Sequence, residues 1–326
     1  MVNMHNPSDI AFASADEALA SKGRSFHWAR RMLGDVHARR ATRLYGFCRR
    51  IDDLADEASS PEVARITLDR ITMDIRAGKS CDPWISDALL LMRECNIDSN
   101  IALELISGVM GDLDCVRLES EAGLLRYCYR VAGTVGLMMS AALDVTNDAA
   151  LPHAIDLGIA MQLTNICRDV SEDARNNRRY LPSVLVGNLE PDQIQNPDAK
   201  TQVKVSEGIS RLLALADIYY KSGEAGLAYL PVGGRAGILI AGRVYRGIGV
   251  KLRRNNYDYL SGRTVVSPLG KVSLTAGALI NIPLMADYWS PRKPHQAGLH
   301  TALAGLPKVN INSVGDGHSA RRSHAA

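Results

Sequence analysis

Two pairs of aspartates are the residues of this sequence best suited to bind a metal ion. Asp52 and Asp56 form one pair and Asp169 and Asp173 the other, each with a spacing of four residues. On a helix this spacing places two carboxylates about 5–6 Å apart on one face, where their repulsion is slightly destabilising. A divalent cation such as Mg²⁺ reverses that effect, because hard cations bind carboxylate oxygens. One pair is common on a solvated helix, but two pairs together predict a cluster of Mg²⁺ ions that binds a diphosphate.

The polar residues beside the first pair lie on the same face of the helix. Plotted at about 100° per residue, Tyr45, Arg49, Asp52 and Asp56 fall on one strip. This strip borders the apolar stripe of the helix and does not lie opposite to it. We therefore expect these four side chains to face a cavity inside the fold.

The second pair has a similar setting. Gln162 and Asn165 share one helical strip with Asp169 and Asp173, and most other side chains between positions 157 and 166 are apolar. A helix that is apolar nearly all round is buried. Buried polar groups without partners cost several kcal/mol, so the strip must face partners or a wet cavity.

The rest of the chain supplies helices to position these strips. Apolar residues recur with helical period, alternation typical of strands is absent, and breaks coincide with Pro and Gly clusters. We expect an all-α fold, with one helical domain over residues 1–290 and a mobile tail rich in Pro, Gly, Ser and His over 291–326. The predicted helices cover residues 10–33, 38–58, 61–77, 83–95, 98–111, 121–143, 149–174, 203–229, 233–260 and 270–288.

Composition excludes several classes of protein. The formal net charge is only +3, and we see no basic face suited to nucleic acid. The six cysteines form no C-x-x-C pair, which favours reduced thiols in the cytoplasm. The first residues lack the basic and apolar regions of a secretion signal, and no uncharged apolar run reaches about 18 residues. No G-x-G-x-x-G follows a strand, so a Rossmann nicotinamide site is not expected.

The two aspartate segments resemble the two aspartate-rich motifs of the squalene and phytoene synthase family. The resemblance covers about residues 20–275 and, within the family, is strongest to bacterial phytoene synthases. Further matching motifs are Arg24-Ser25-Phe26, the run from Tyr127 to Gly136, Arg178-Arg179-Tyr180-Leu181-Pro182, the run from Arg243 to Gly249, and Arg263.

This resemblance implies a fold, a reaction and a cofactor. The fold is an isoprenoid-synthase helical bundle around a central cavity. The reaction is head-to-head condensation of two geranylgeranyl diphosphates to phytoene through a cyclopropylcarbinyl diphosphate. It requires Mg²⁺ or Mn²⁺, and no NADPH is expected. A water-insoluble product also suggests peripheral contact with the inner membrane and with downstream carotenoid enzymes, although no segment identifies itself as the membrane contact.

The resemblance also assigns roles to residues. The implied metal ligands are Asp52, Asp56, Asn165, Asp169 and Asp173. The implied substrate-binding residues are Arg24, Ser25, Phe26, Arg49, Gln162, Asn165, Arg168 and Arg263. The implied catalytic residues are the four aspartates with Arg49, Tyr45, Tyr127 and Tyr245.

Several alternatives stay open on the sequence alone. Each tyrosine could instead be a core residue with a bonded hydroxyl. The small residues Gly133, Gly136, Ala141 and Ala142 could make room for a prenyl tail or allow close helix packing. The nearest rival function is dehydrosqualene synthesis from farnesyl diphosphate, because cavity depth sets chain length. More distant rivals are a terpene cyclase and a non-catalytic helical assembly factor, which would be expected to lose aspartates from the two strips.

Overall fold

The computed structural model describes residues 32–291 and 294–309, and the all-α prediction is confirmed over these ranges. They contain no strand, only a single β-bridge between Arg117 and Arg179. Most of the predicted helix 10–33 lies outside the described residues. The α-helices are α1 (Asp35–Asp56), α2 (Pro61–Ala77), α3 (Pro83–Glu94), α4 (Ser99–Gly111), α5 (Glu121–Cys128), α6 (Thr134–Ala142), α7 (Leu151–Arg175), α8 (Ser183–Val186), α9 (Pro191–Gln195), α10 (Ala199–Ala225), α11 (Val232–Arg254), α12 (Pro268–Asn281) and α13 (Ala286–Trp289).

Local sequence explains where the helices begin. The Ser60 hydroxyl accepts a hydrogen bond from the Val63 backbone N–H at the start of α2, and a proline occupies the first helical position. Asp82 caps α3 in the same way, again followed by proline. These caps satisfy N–H groups that have no partner within the helix. The Ser-Pro and Asp-Pro breaks in the sequence are therefore helix starts.

Helix α7 is the central helix of the bundle and carries the second aspartate pair. It contacts α10, α11 and α6, together with a π-helical turn over Tyr129–Gly133 that joins α5 to α6. Ile155, Ile159 and Leu163 are fully buried along it. A helix held on several sides in this way gives its polar strip a fixed direction.

Glycines let α7 cross the π-turn and α6 at very short range. A Cβ atom on Gly136 would lie 2.2 Å from the Ala154 carbonyl oxygen, and one on Gly158 would lie 2.3 Å from the Ala132 carbonyl oxygen. Both clashes are with backbone, so no side-chain rotation relieves them. The sequence left open whether Gly136 makes room for a prenyl tail or allows close helix packing. Close packing accounts for this glycine, and Gly136 also lines a cavity described below.

We expect Gly158→Ala to destabilise the protein by about 1–3 kcal/mol or more, because the added methyl must push two helices apart. Thermal or urea unfolding measures the effect. The matched control is Gly277→Ala within α12, where a Cβ meets nothing within 4 Å. That change should be neutral or stabilising, since alanine is the better helix former. Equal behaviour of the two variants would contradict the close crossing.

The chain after α13 packs back onto the bundle between His295 and Val309, within the range that the sequence analysis assigned to a mobile tail. Leu303, Leu306 and Val309 are buried in the main core. The Tyr219 hydroxyl donates to the Leu299 carbonyl at 2.8 Å. These contacts could not be predicted from the sequence, because the few apolar residues of the segment are scattered among Gly, Pro and His.

Asp156 of α7 anchors this C-terminal segment. Its carboxylate is fully buried, and its two oxygens lie 2.8 Å from His295 Nε2 and 2.8 Å from His300 Nε2. The Ser222 hydroxyl of α10 also donates to it. Burial alone would raise the pKa of Asp156, but hydrogen bonds from the two histidines outweigh it and lower that pKa. We call this group the histidine clasp (Asp156, Ser222, His295 and His300).

Candidate active site

Two connected cavities lie between α1, α7 and their neighbours. The first, the polar cavity, has a volume of about 260 Å³ and contains the aspartate pairs. The second, the apolar cavity, has a volume of about 410 Å³ and extends between α1, α6, α7 and α11. The two are continuous because they share the lining residues Arg49, Asp52, Val131, Gln162, Asn165 and Arg168.

The first aspartate pair enters the polar cavity from the end of α1. Burial, reinforced by the charge of Asp56, raises the pKa of Asp52 to about 7, although Arg49 opposes the shift. Asp56 is half exposed and lies 3.4 Å from the Arg178 guanidinium. Arg49 forms an ion pair with Asp53 one turn further along α1.

The second pair enters the same cavity from α7. Asp169 lies between two guanidinium groups, those of Arg168 and of Arg263, whose Nε is 3.0 Å away. Burial and the neighbouring charge of Asp169 raise the pKa of Asp173 to about 8, with Arg178 acting in the opposite direction. Both pairs therefore crowd negative charge into one partly dry space.

A third carboxylate, which the sequence analysis missed, lies between the two pairs. Asp112 follows α4 and accepts hydrogen bonds from the Tyr127 hydroxyl at 3.0 Å and the Tyr180 hydroxyl at 2.7 Å. The two rings stack with centroids 4.8 Å apart. Burial raises the pKa of Asp112 to about 6, and its charge in turn raises the pKa of both Asp52 and Asp173.

The side-chain amides of Gln162 and Asn165 on α7 lie at the junction of the two cavities. Asn165 Nδ2 donates to Gln162 Oε1 at 3.2 Å, whereas Asn165 Oδ1 is buried. Within residues 32–291 and 294–309 that oxygen accepts no hydrogen bond, and Arg49 Nε is likewise buried without an acceptor. An amide carbonyl oxygen and a group of closely spaced carboxylates match the ligand preference of Mg²⁺ or Mn²⁺, and the guanidinium groups match a diphosphate. The residues present therefore fit divalent cations with a diphosphate.

The raised pKa values imply an unusual pH dependence. Asp52 and Asp173 hold protons in the folded state up to about pH 7 and 8, whereas an unfolded aspartate releases its proton near pH 3.9, about its ordinary pKa. The folded state thus binds more protons between these limits, so stability falls as pH rises through them. We expect metal-free protein in EDTA to unfold at a lower temperature at about pH 8 than at about pH 5.5.

Adding Mg²⁺ with pyrophosphate should recover more stability at the higher pH, because the carboxylates are then free to bind cations. The Asp52→Asn, Asp173→Asn double variant is the control and should flatten the pH dependence. A wild-type protein whose stability rises steadily over this range would contradict the assigned proton binding.

The tyrosines expected to be catalytic occupy different parts of the site. Tyr127 lines the polar cavity, and its burial raises the pKa well above the ordinary value. Tyr45 and Tyr245 line the apolar cavity, where burial raises the pKa of Tyr45 to about 12 and that of Tyr245 in the same direction. All three hydroxyls therefore stay protonated at neutral pH.

The apolar cavity follows α7 away from the aspartates. Its lining runs from Arg168 to His153, about 22 Å along the helix axis at 1.5 Å per residue. Leu157, Met161 and the crossing glycines form this wall. A long, narrow apolar chain with an anionic head group matches the combined shape and polarity of the two cavities.

The residues named from the sequence have the following places. Arg24, Ser25 and Phe26 lie outside the described residues. Arg263 lines the apolar cavity near its junction with the polar one. The polar cavity brings together Asp52, Asp56, Asn165, Asp169, Asp173, Arg49, Gln162, Arg168 and Tyr127.

Another set of possible metal ligands converges at the histidine clasp, where the ligand atoms lie within 4.8 Å of one another. Each histidine nitrogen is already at hydrogen-bond distance from the carboxylate, so hydrogen bonds account for the arrangement. Asp156 is about 20 Å along α7 from Asp169, at 1.5 Å per residue. The clasp is therefore separate from the site that would bind a diphosphate.

Comparison with known proteins gives consistent matches. Residues 19–270 match the family described as squalene/phytoene synthase. A 15-cis-phytoene synthase from Pantoea ananas is 31% identical over 287 residues, covering 84% of this chain and 92% of that protein. A phytoene synthase from Thermus thermophilus is 38% identical over 225 residues, covering 68% and 75%. Among solved structures, a dehydrosqualene synthase in complex with a ligand has a TM-score of 0.76 at 27% identity, covering 85% of this chain and 98% of that one.

Proposed function

Because the chain belongs to the squalene/phytoene synthase family, whose members are prenyltransferases, we propose that it joins two geranylgeranyl diphosphates head to head into phytoene. The observation that carries this proposal is the direct continuity of an acidic, arginine-lined cavity with a long apolar one. Two diphosphate groups and two protons leave for each product formed.

The polar cavity would hold the departing diphosphate. Asp52, Asp56, Asn165, Asp169 and Asp173 would ligate Mg²⁺ or Mn²⁺, which when bound would neutralise the diphosphate and make it a better leaving group.

Arginines supply the remaining positive charge. Arg49, Arg168 and Arg178 line the polar cavity, and Arg263 is half exposed beside Asp169. Guanidinium groups make paired hydrogen bonds to phosphate oxygens. Arg168 and Arg263 bind Asp169 in this structure, so an arriving diphosphate would compete with that carboxylate for them.

The apolar cavity would protect the allylic cation from water. Its wall offers hydrocarbon side chains such as Leu157 and Val135, which give the cation no nucleophile. The alkene of the second substrate is then the nearest electron donor. Its attack moves the positive charge onto the second substrate, and loss of a first proton closes the cyclopropane ring. A second ionisation, rearrangement and loss of a second proton complete the product.

Tyr127 and Asp112 would orient groups near the departing diphosphate. The raised pKa of Tyr127 keeps its hydroxyl protonated, and that hydroxyl donates to Asp112. Tyr127 is therefore positioned as a hydrogen-bond donor, and Asp112 fixes its direction.

The carbon number of the product formed from geranylgeranyl diphosphate tests the proposed function. We expect purified protein with Mg²⁺ or Mn²⁺ and geranylgeranyl diphosphate to make a forty-carbon hydrocarbon without NADPH. Extraction followed by chromatography and mass spectrometry measures it, with an EDTA-treated reaction as the control. A cyclic twenty-carbon product would instead indicate a terpene cyclase, and no conversion of any prenyl diphosphate would contradict the proposal.

A second candidate is dehydrosqualene synthesis from farnesyl diphosphate. It is favoured by the likeness of this fold to a dehydrosqualene synthase over 98% of that protein. The same assay separates the two candidates when each substrate is offered alone and both are offered in competition. A thirty-carbon product alone would assign the protein to this second activity.

The cellular location of the protein is also a proposal. We place the protein in the cytoplasm, at the periphery of the inner membrane, where an insoluble product can be passed to later carotenoid enzymes. Of the described helices, none combines the length and apolar character needed to span a bilayer.

A further inference from the structure

An exposed apolar ridge runs along α12 and the turn that follows it. Leu269 is 82% exposed, Ile280 is 74% exposed and Leu284 is 83% exposed, which is unusual for large apolar side chains. We call this set the outer ridge. Its members are Leu269, Val272, Leu279, Ile280, Leu284 and Trp289.

The outer ridge reverses the usual arrangement of a surface helix. Helix α12 turns Thr275 and Ala278 toward the protein and the larger Leu269, Val272 and Ile280 toward solvent. A helix at a protein surface normally buries its apolar face. Packing within the described fold therefore does not explain why large apolar residues occupy the exposed face of α12.

Positive charge predominates along α12, and the one acidic residue close to the ridge in sequence is Asp287, beside Trp289. No Asp or Glu occurs between Tyr259 and Ala286, whereas Lys271 lies in that stretch, together with Arg263, which pairs with Asp169. Lys251 at the end of α11 adds a further positive charge, since its Nζ donates to the Val265 carbonyl at 3.1 Å. An apolar face bordered by positive charge complements an anionic lipid surface.

Another exposed apolar set shows the contrast. Val63, Ile66 and Met73 project from α2, but Glu62 and Asp69 on the same helix place negative charge among them. Arg65, Arg70 and Arg76 offset Glu62, Asp69 and Asp74 on α2, so this helix has no net charge to attract an anionic surface. Apolar exposure and net positive charge therefore coincide at α12 and not at α2.

The ridge also lies one helix layer from the apolar cavity. Ala278 of α12 packs in a small cluster with Leu239 and Val244 of α11. Leu230 and Ile238 pack against that cluster and also line the apolar cavity. The inner side of the α11–α12 pair thus meets the space for the prenyl chains, and its outer side is the ridge.

We propose that the outer ridge docks the protein on the surface of an anionic lipid bilayer. Helix α12 lies in the interface, Leu269, Ile280 and Leu284 enter the acyl region, and Trp289 lies at head-group level. Only the apolar nature of the product rests on the proposed function; the docking itself depends on the ridge and its charges. The orientation brings the apolar cavity next to the phase that dissolves its product.

Co-sedimentation of the full chain with lipid vesicles tests the docking without substrate. We expect wild-type protein to bind vesicles of phosphatidylglycerol and phosphatidylcholine, and to bind phosphatidylcholine alone at least tenfold more weakly. The triple variant Leu269→Ser, Ile280→Ser, Leu284→Ser should reduce binding at least tenfold. The matched control Val63→Ser, Ile66→Ser, Met73→Ser should bind like wild type. Circular dichroism and thermal unfolding establish that each variant is folded.

A charge variant gives a second measurement if the serine variant does not fold. Lys251→Glu with Lys271→Glu should weaken binding to anionic vesicles about tenfold and leave the weak binding to neutral vesicles unchanged. Absence of wild-type binding to anionic vesicles would overturn the proposal. So would an outer ridge that instead joins two copies of this chain, seen as a dimer that the serine variant converts to monomer. Turnover in detergent, measured separately, reports on the proposed function whatever the vesicles show.

Discussion

Replacing Asp169 with alanine is expected to lower turnover about a thousandfold or more, while the protein remains folded. Asp169 lies between Arg168 and Arg263 in the polar cavity. Its removal would deprive the site of a cation ligand and remove the carboxylate that pairs with both guanidinium groups. Asp52→Ala should behave similarly from the opposite helix. Steady-state turnover with geranylgeranyl diphosphate over a range of Mg²⁺ concentrations measures the effect.

The matched control for this experiment is Arg175→Ala on the same helix. Arg175 is exposed and donates to the Ser171 carbonyl of its own helix at 3.3 Å, so its loss should leave turnover close to wild type. Circular dichroism checks that the helices remain. Wild-type turnover by Asp169→Ala would remove the basis for the proposed cation site.

The second large effect is expected from Asp112→Asn, which keeps the shape of the side chain. The carboxylate accepts hydrogen bonds from Tyr127 and Tyr180 and faces Arg178 through space. An amide offers one acceptor oxygen and one donor nitrogen, so it cannot accept both hydroxyls in the same way. We expect kcat to fall about a hundredfold, with a smaller change in KM because the site still holds its four other aspartates.

The control for Asp112 lies two residues further along the chain. Asp114 is 70% exposed and pairs with Arg65 at 2.8 Å, and Asp114→Asn should have no measurable effect on kcat. Tyr127→Phe should lower kcat in the same direction as Asp112→Asn. A double variant no worse than Asp112→Asn alone would show that the two groups act together. Unchanged kcat in Asp112→Asn would exclude a role in the reaction.

The helices could be predicted because their signals are local. The spacing of Asp52 and Asp56 marks one face of α1, and the prolines at positions 61 and 83 mark the starts of α2 and α3. Strips of polar residues beside apolar ones likewise indicated that α1 and α7 face a cavity. Each of these inferences needs only neighbours a few positions apart.

Other parts of the site depend on residues far apart in the sequence. Asp112 stands after the end of α4 with no helical strip to mark it, and only folding brings Tyr127 and Tyr180 to its two oxygens. The packing of residues 294–309 is similar, since its polar anchor, Asp156, is on α7. The polar composition of this segment favoured a mobile tail. Composition alone could not indicate the packing, because it carries no information about partners far away in the sequence.

The histidine clasp has a consequence for the order in which the chain acquires its structure during synthesis. Asp156 leaves the ribosome well before the histidines that bind it, which follow 139 and 144 positions later. Until those residues emerge, α7 carries a carboxylate that is costly to bury without partners. The seam between α7 and α10 should therefore stay hydrated in the nascent chain until residues 295–300 have emerged, so that this late segment completes the bundle.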